Sequence, residues 1–355
     1  MTQAPTWPNI LSKLIANQHL SRAEAAWALD EIMSGQTDAG IISAFLVALR
    51  AKGESVEEIS GLVDAMLTKA LKLQVNPDAL DIVGTGGDMF GTVNVSSMAS
   101  VVAASAGVPV LKHGSRSASG KTGSAEMLEA LGVRLDLDAA GVAAVFEKVG
   151  ITFFFAPVFH PAMKFVAPVR RLLGVPTTFN FLGPLANPAQ PLATSLGVSN
   201  PSVAPLMAAE MAARGRTAMV FRGNDGLDEL TTTENNQIWQ VVGGQIQEFG
   251  LNPQKLGLNR AEIKDLIGGD AQENASVARE LFAGNTAGNL GAVKDIVLLN
   301  AAGGVVAHEL AHDHSKADVD IELRLANALQ KVTVALESGA SASKLADWIA
   351  ATNNQ

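Results

Sequence analysis

The sequence predicts an α/β fold: a small helical domain, then a large domain built on a mostly parallel sheet covered on both faces. Three observations carry this. The first 75 residues show helical periodicity and no strand-like alternation. From Leu80 onward, short continuous apolar runs alternate with helical segments. Two of those runs lead into glycine-rich loops, at 84–88 and 112–124.

The elements follow in order. Ser21 with Glu24 forms a capping box before Ala25, Leu29 and Ile32. Asp38 caps "AGIISAFLVALRAK", which Gly53 stops. Ser55 with Glu58 is a second capping box, opening "VEEISGLVDAMLTKAL". Residues 1–75 are read as the helical domain and 76–355 as the α/β domain. "LDIVGTGGD" is a buried strand entering a glycine loop, and "NVSSMASVVAASAG" is a helix ended by Gly107. "VPVLKHG" and "ITFFFA" are further strands, with helices "GSAEMLEALG" and "DAAGVAAVFEKVG" between them. "SLGV", "TAMVFRG" and "IWQVV" follow as strands, with the helix "PSVAPLMAAEMAARG" after the first. "HPAMKFVAPVRRLLG" (160–174) reads as one helix without a strand after it, assigned to the helical domain. The tail "VDIELRLANALQKVTVALES" reads as one long helix.

Composition narrows the function. Of 355 residues, 48% are hydrophobic, enough for a large core, and 17% are charged, which argues against disorder. The absence of cysteine removes thiol catalysis, thiolate metal sites and disulfides. No apolar run reaches the roughly 18–20 residues of a membrane span. "MTQAPTWPNI" has no basic start before an apolar block, so no secretory leader is expected and a cytoplasmic enzyme is. A net charge of −9 speaks against nucleic acid as partner. Yet no Asp or Glu occurs from Met89 to Ala125, where Lys112, Arg116 and Lys121 lie. None occurs from Lys148 to Ala209 either, where Lys164, Arg170 and Arg171 lie. Windows emptied of acids but keeping cations point to a bound anion.

"KHGSRSASGKTGS" (112–124) looks like a P-loop, but five residues separate Gly114 from Gly120 where a P-loop has four. "GTGGD" (84–88) is no dinucleotide fingerprint, because Met89 stands where glycine is needed. What remains is a glycine turn leading into a helix start with Asn94, Ser96 and Ser97, suited to phosphate or diphosphate. Adjacent Asp228 and Glu229 in "GLDELTTT" suit Mg²⁺. "HELAH" (308–312) fits the zinc pattern of peptidases, leaving Glu322 or Glu337 as distant third ligands. Gly303 and Gly304 upstream suggest a helix end there, so His308 and His312 are otherwise read as surface residues.

Together "GTGGD", "TVNVSS" (92–97), "KHGSRSASGKTGS", "HPAMKFVAPVRRLLG", "FNFLGPLANP" (179–188) and "GLDE" (226–229) resemble the anthranilate phosphoribosyltransferase family across nearly the whole chain. The resemblance implies a small helical domain plus a large α/β domain with a mixed, mainly parallel central sheet, and a homodimer formed through the helical domain. It implies that phosphoribosyl pyrophosphate meets Gly84, Gly87, Asp88, Thr92, Asn94, Val95, Ser96, Ser97 and the loop Lys112, His113, Gly114, Ser115, Arg116, Ser117, Ala118, Ser119, Gly120 and Ser124. Lys112 and Ser96 would act electrostatically. Two Mg²⁺ ions are implied, one at Ser96 through the diphosphate and one at Asp228 and Glu229. Anthranilate would meet Gly84, His113, Ser115, Phe159 and Arg170. The expected reaction gives N-(5-phosphoribosyl)anthranilate and pyrophosphate through a loose, oxocarbenium-like transition state.

Three positions depart from the family: Ser115 replaces Asn, Phe159 replaces Tyr, and "MFG" (89–91) replaces Gly-x-Asn. The first two touch the acceptor side. A pyrimidine nucleoside phosphorylase-like enzyme, or a phosphoribosyltransferase with another aromatic acceptor, stays open as an alternative.

Overall fold

The computed structural model describes residues 4–117 and 121–355. Four helices come first: α1 (Trp7–Ile15), α2 (Arg22–Met33), α3 (Ala39–Lys52) and α4 (Val56–Lys69). Both capping boxes form, and Asp38 accepts the Gly40 N–H. The alternation then begins with β1 (Leu80–Gly84), α5 (Val95–Ser105), β2 (Val110–Gly114), α6 (Ser124–Leu131), α7 (Ala139–Val149) and β3 (Ile151–Phe155). Three short elements follow: α8 (Ala156–Phe159), α9 (Ala167–Leu173) and α10 (Phe179–Leu182). The rest is β4 (Ala193–Gly197), α11 (Ala204–Ala213), β5 (Thr217–Gly223), β6 (Asn236–Val242), β7 (Gln245–Leu251), α12 (Ala271–Phe282), α13 (Leu290–His312), α14 (Ile321–Glu337) and α15 (Ala340–Asn353).

The chain divides into two compact units: Met1–Lys72 with Ala156–Pro188, and Leu73–Phe155 with Ala189–Gln355. In the first unit α4 lies so close to α2 that a Cβ on Gly61 would overlap the Arg22 carbonyl. Glu58, fully buried, accepts from Leu20 N (2.9 Å) and Lys52 Nζ (2.8 Å), tying three segments together.

The second unit holds a seven-stranded sheet of order β3-β2-β1-β4-β5-β6-β7. The first five strands are parallel, and β6 and β7 antiparallel. The chain runs from β1 outward to β2 and β3, then returns to place β4 on the other side of β1. The loops after β1 and β4 therefore diverge, which opens a crevice at the carboxyl ends of the strands. Because β6 runs antiparallel to β5, their connecting loop (224–235) lies at that same end.

Four sequence expectations are corrected. The segment 160–174 is a 3₁₀ stretch (Pro161–Phe165) followed by α9, because Pro168 fits only a helix's first turn. The tail segment 319–338 is the single helix expected, α14, and α15 follows it beyond Gly339, whose φ is 79°. Strand β7 was missed, although Gly243-Gly244 between "IWQVV" and "QIQEF" is a two-residue hairpin signal with both φ positive. Gly303 and Gly304 end no helix; they lie inside α13. Added Cβ atoms there would stand 2.8 Å from Leu230 Cδ1 and from Leu80 Cδ2, so glycine lets the helix settle onto the sheet. By length and apolarity α13 could also cross a membrane, contrary to the reading that no run suffices. In the structure 72% of its apolar window is buried as a core helix.

Candidate active site

The crevice gathers three segments: the glycine loop after β1, the start of α5, and the turn carrying Asp228 and Glu229. Glycine has a separate reason at each position of "GTGGD". Gly86 and Gly87 have φ of 65° and 83°, which side chains other than glycine resist. Gly84 has no such angle; a Cβ there would overlap Asp228 Oδ2. Gly197, its register partner on β4, presses against the Asp228 carbonyl in the same way. The carboxylate of Asp228 accepts the Gly86 N–H at 2.6 Å. Ser199 Oγ donates to Gly86 O at 2.8 Å, and Thr85 N–H reaches Gly197 O at 3.0 Å. The loop is held from three sides.

Asp228 is 8% exposed and lies beside Asp88. Burial, then the charge of Asp88, pushes its carboxyl up to about 7. Burial likewise raises Asp88. Glu229 is raised well above the carboxylate range by burial and by Asp228, with Lys112 opposing. Three neighbouring acids, each resisting ionisation, are oxygen donors whose crowding a divalent cation would relieve. Asn300, wholly buried on α13, clamps the next residue: Leu230 N donates to its Oδ1 and its Nδ2 donates to Leu230 O, both 2.9 Å.

Lys112 is 1% exposed. Strands β1 and β2 pair in register only at Leu80↔Val110. Beyond that point Lys112 Nζ donates to Ile82 O at 2.6 Å, and Asp81 Oδ1 accepts the His113 N–H at 3.1 Å. Side chains thus replace ladder bonds. Burial lowers the Lys112 pKa, while Asp81 and Glu229 oppose that. Its Nζ stands 3.4 Å from Ser96 Oγ.

At the start of α5 the N-cap is Asn94, not Ser96, and its side chain caps nothing. Instead Asn94 Nδ2 donates to Thr122 O (3.2 Å) and Oδ1 accepts from Asn274 (2.8 Å), joining the helix start to the second glycine loop. Glu229 lies close enough to the Ser96 N–H for that donor to favour its charged form. Val95 and Ser97 are each 1% exposed, and the Ser97 hydroxyl has no hydrogen-bond partner. Thr92 bridges to Ile267, which fixes the preceding segment.

In the second loop Gly114 lets Ser124 and Phe153 approach. Ser124 Oγ donates to the carbonyl of exposed Ser115 at 3.2 Å. The Ser117 N–H meets Glu126 at 3.2 Å. Arg116 forms a two-pronged pair with Glu129 (2.7 and 2.8 Å) and lies over Phe155. Ala118, Ser119 and Gly120 fall outside the described residues.

The remaining predicted acceptor residues belong to the first unit. Phe159 is 1% exposed. Half-buried Arg170 lies over the Phe179 ring and donates to Asn180 Oδ1 at 3.4 Å. Among the described residues it has no carboxylate partner. Ser199, Asn274 and Asn300 were not foreseen, since each acts across a long stretch of chain with no spacing to betray it. The peptidase reading fails: Glu309 pairs with Lys316, Glu322 with Lys255 and Glu337 with Lys294.

Comparisons with known proteins agree with this architecture. Residues 8–70 match the helical bundle domain of a glycosyl transferase family, and residues 76–342 its a/b domain. An anthranilate phosphoribosyltransferase from Leifsonia xyli is 50% identical over 99% of this chain and 100% of its own. The crystal structure of the Thermus thermophilus anthranilate phosphoribosyltransferase superposes with a TM-score of 0.87 at 38% identity, covering 97% of this chain and 99% of that one. The Saccharomyces cerevisiae enzyme, solved in complex with PRPP and Mg, gives 0.88 at 27% identity, covering 99% of each chain. A glycine loop locked onto buried carboxylates, on a fold shared over its full length with these enzymes, places the chain in the anthranilate phosphoribosyltransferase family.

Proposed function

We propose that this chain transfers the phosphoribosyl group of phosphoribosyl pyrophosphate to the amine of anthranilate, releasing pyrophosphate, in tryptophan biosynthesis. The observation that carries the reading is the Asp88–Asp228–Glu229 cluster pressed against a glycine loop. It is a hard-cation site beside backbone donors, as a diphosphate leaving group requires.

In this reading Asp228 and Glu229 hold one Mg²⁺, and Ser96 contributes to a second through the diphosphate. When bound, the ions neutralise charge on the departing pyrophosphate. The Ser96 N–H, at the start of α5, would donate to a phosphate oxygen. Lys112 keeps positive charge behind the Ser96 hydroxyl. Gly86 and Gly87 let the backbone approach the diphosphate. Arg170 takes the acceptor's carboxylate, desolvated and held over Phe179. The amine attacks ribose C1 as the C1–O bond breaks, and its proton leaves afterward. Orientation and electrostatics carry the rate. The smaller Ser115 and apolar Phe159 shape the acceptor side. The active form is a homodimer through the helical unit, where Ile15, Val47, Leu172 and Val175 are exposed.

The test mixes protein, Mg²⁺ and phosphoribosyl pyrophosphate with a panel of aminobenzoates. Anthranilate fluorescence disappears only with all components present. Arg170→Ala raises the acceptor KM about tenfold or more and leaves the donor KM nearly unchanged. Phosphorolysis of thymidine without metal would instead favour the nucleoside phosphorylase alternative.

A further inference from the structure

The histidines of "HELAH" are excluded from peptidase chemistry but not from metal binding. His308 and His312 stand one turn apart on α13, with ring centroids 4.5 Å apart. Both Nε2 atoms face one oxygen of Asp78, at 3.3 and 2.8 Å. Among the described residues these three are the group whose His and carboxylate ligand atoms lie within 4.8 Å of one another. Around tetrahedral zinc, with bonds of about 2.0–2.1 Å, neighbouring ligand atoms are about 3.3 Å apart. The observed separations come within about half an ångström of that edge. His312 Nδ1 lies 2.9 Å from the His308 carbonyl, a donor contact that keeps a proton on Nδ1 and makes Nε2, whose proton a metal would replace, the atom facing Asp78.

We propose that Asp78, His308 and His312 form a second metal site, taking a divalent transition-metal ion, zinc in particular, on three protein ligands with a fourth position open to water. The donor set distinguishes it from the crevice. Two imidazoles and one carboxylate suit zinc, whereas an all-oxygen site suits Mg²⁺. Its place differs too. Asp78 precedes β1, while the crevice lies beyond the other end of that strand.

The frame is rigid before any ion arrives. Both histidines sit on the buried core helix. Asp78 is set by its own N–H to Asn76 Oδ1 (3.0 Å), and neighbouring Pro77 accepts from Leu192 N (2.8 Å). Glu309, the acid within the motif, is held by Lys316 at 3.0 Å, away from the trio. A bound ion would fasten the entry to β1 onto the last turn of α13. The role is structural, with no substrate chemistry.

The experiment uses untagged full-length protein carrying Asp228→Asn and Glu229→Gln, which removes the crevice as a competing site. Zinc is titrated by calorimetry, and Co²⁺ by its visible absorption. One equivalent binds, with the spectrum of a nitrogen-ligated ion, and saturating zinc raises the Tm by about 2 °C or more. Adding His312→Ala or Asp78→Asn weakens zinc binding about 100-fold or more, since loss of even an outer partner costs about 10–100-fold. His312 is half-exposed, so that change leaves the fold intact. Absence of zinc binding at tens of micromolar, or unchanged binding after Asp78→Asn, overturns the site and leaves only an imidazole–carboxylate ion pair.

Discussion

The two glycine loops of the crevice are built differently. The loop after β1 is fixed by long-range contacts. Asp228 reaches it from 142 residues away, and Ser199 from 113. The loop after β2 is fixed largely by its own helix: Glu126 takes the Ser117 and Gly123 N–H groups, and Glu129 takes Arg116. Asn94, through Thr122 O, and Gly269, through the Thr122 hydroxyl, tie it to other segments. In the first loop the partners are acids crowded against one another. In the second they are acids already matched to donors. Unsatisfied charge beside preformed backbone is where a ligand gains most. The proposed function accordingly casts the first loop as the catalytic jaw and the second as the one that positions.

Four changes probe that contrast, from the largest effect down. Asp228→Asn with Glu229→Gln should lower Mg²⁺-dependent kcat/KM by about 1,000-fold, roughly 4 kcal/mol. Unchanged turnover would move the metal elsewhere. Gly84→Ala places a methyl against Asp228 Oδ2. A loss of about 100-fold, mostly in donor affinity, is expected from steady-state kinetics.

His160 supplies a measure of stability independent of both loops. It is 3% exposed, and its Nε2 lies 2.9 Å from Ala186 O. Burial lowers its pKa to about 4, against an ordinary 6.5. The unfolded chain therefore binds a proton that the folded chain refuses between those values. Stability present above pH 6.5 is lost as pH falls toward about 4, by about 3 kcal/mol in all. Denaturant melts of His160→Gln should show a flatter acid limb; an identical limb would mean another group sets it.

The smallest effect is expected from Arg116→Ala. With its charge already matched by Glu129, the donor KM should change less than about threefold. A tenfold rise would show that Arg116 leaves Glu129 for the diphosphate and that the second loop is not merely positional.

Much of this was legible in the chain itself. Capping boxes at Ser21 and Ser55, the strand–loop–helix rhythm from Leu80, and the glycine turn of "GTGGD" all rest on local chemistry. Propensity and spacing encode them directly. The helix break within 160–174 was local too, but proline admits more than one backbone path.

Tertiary structure decided the rest. It decided that Gly303 and Gly304 belong inside a helix, because only contact with Leu80, Ile82 and Leu230 explains a missing Cβ there. It decided that Asn94 joins loops instead of capping α5. It brought Asp78 to His308 and His312, where the sequence offered only distant glutamates. Each of these depends on which surfaces meet, and a sequence encodes such meetings through the whole packed core, not through any spacing along the chain.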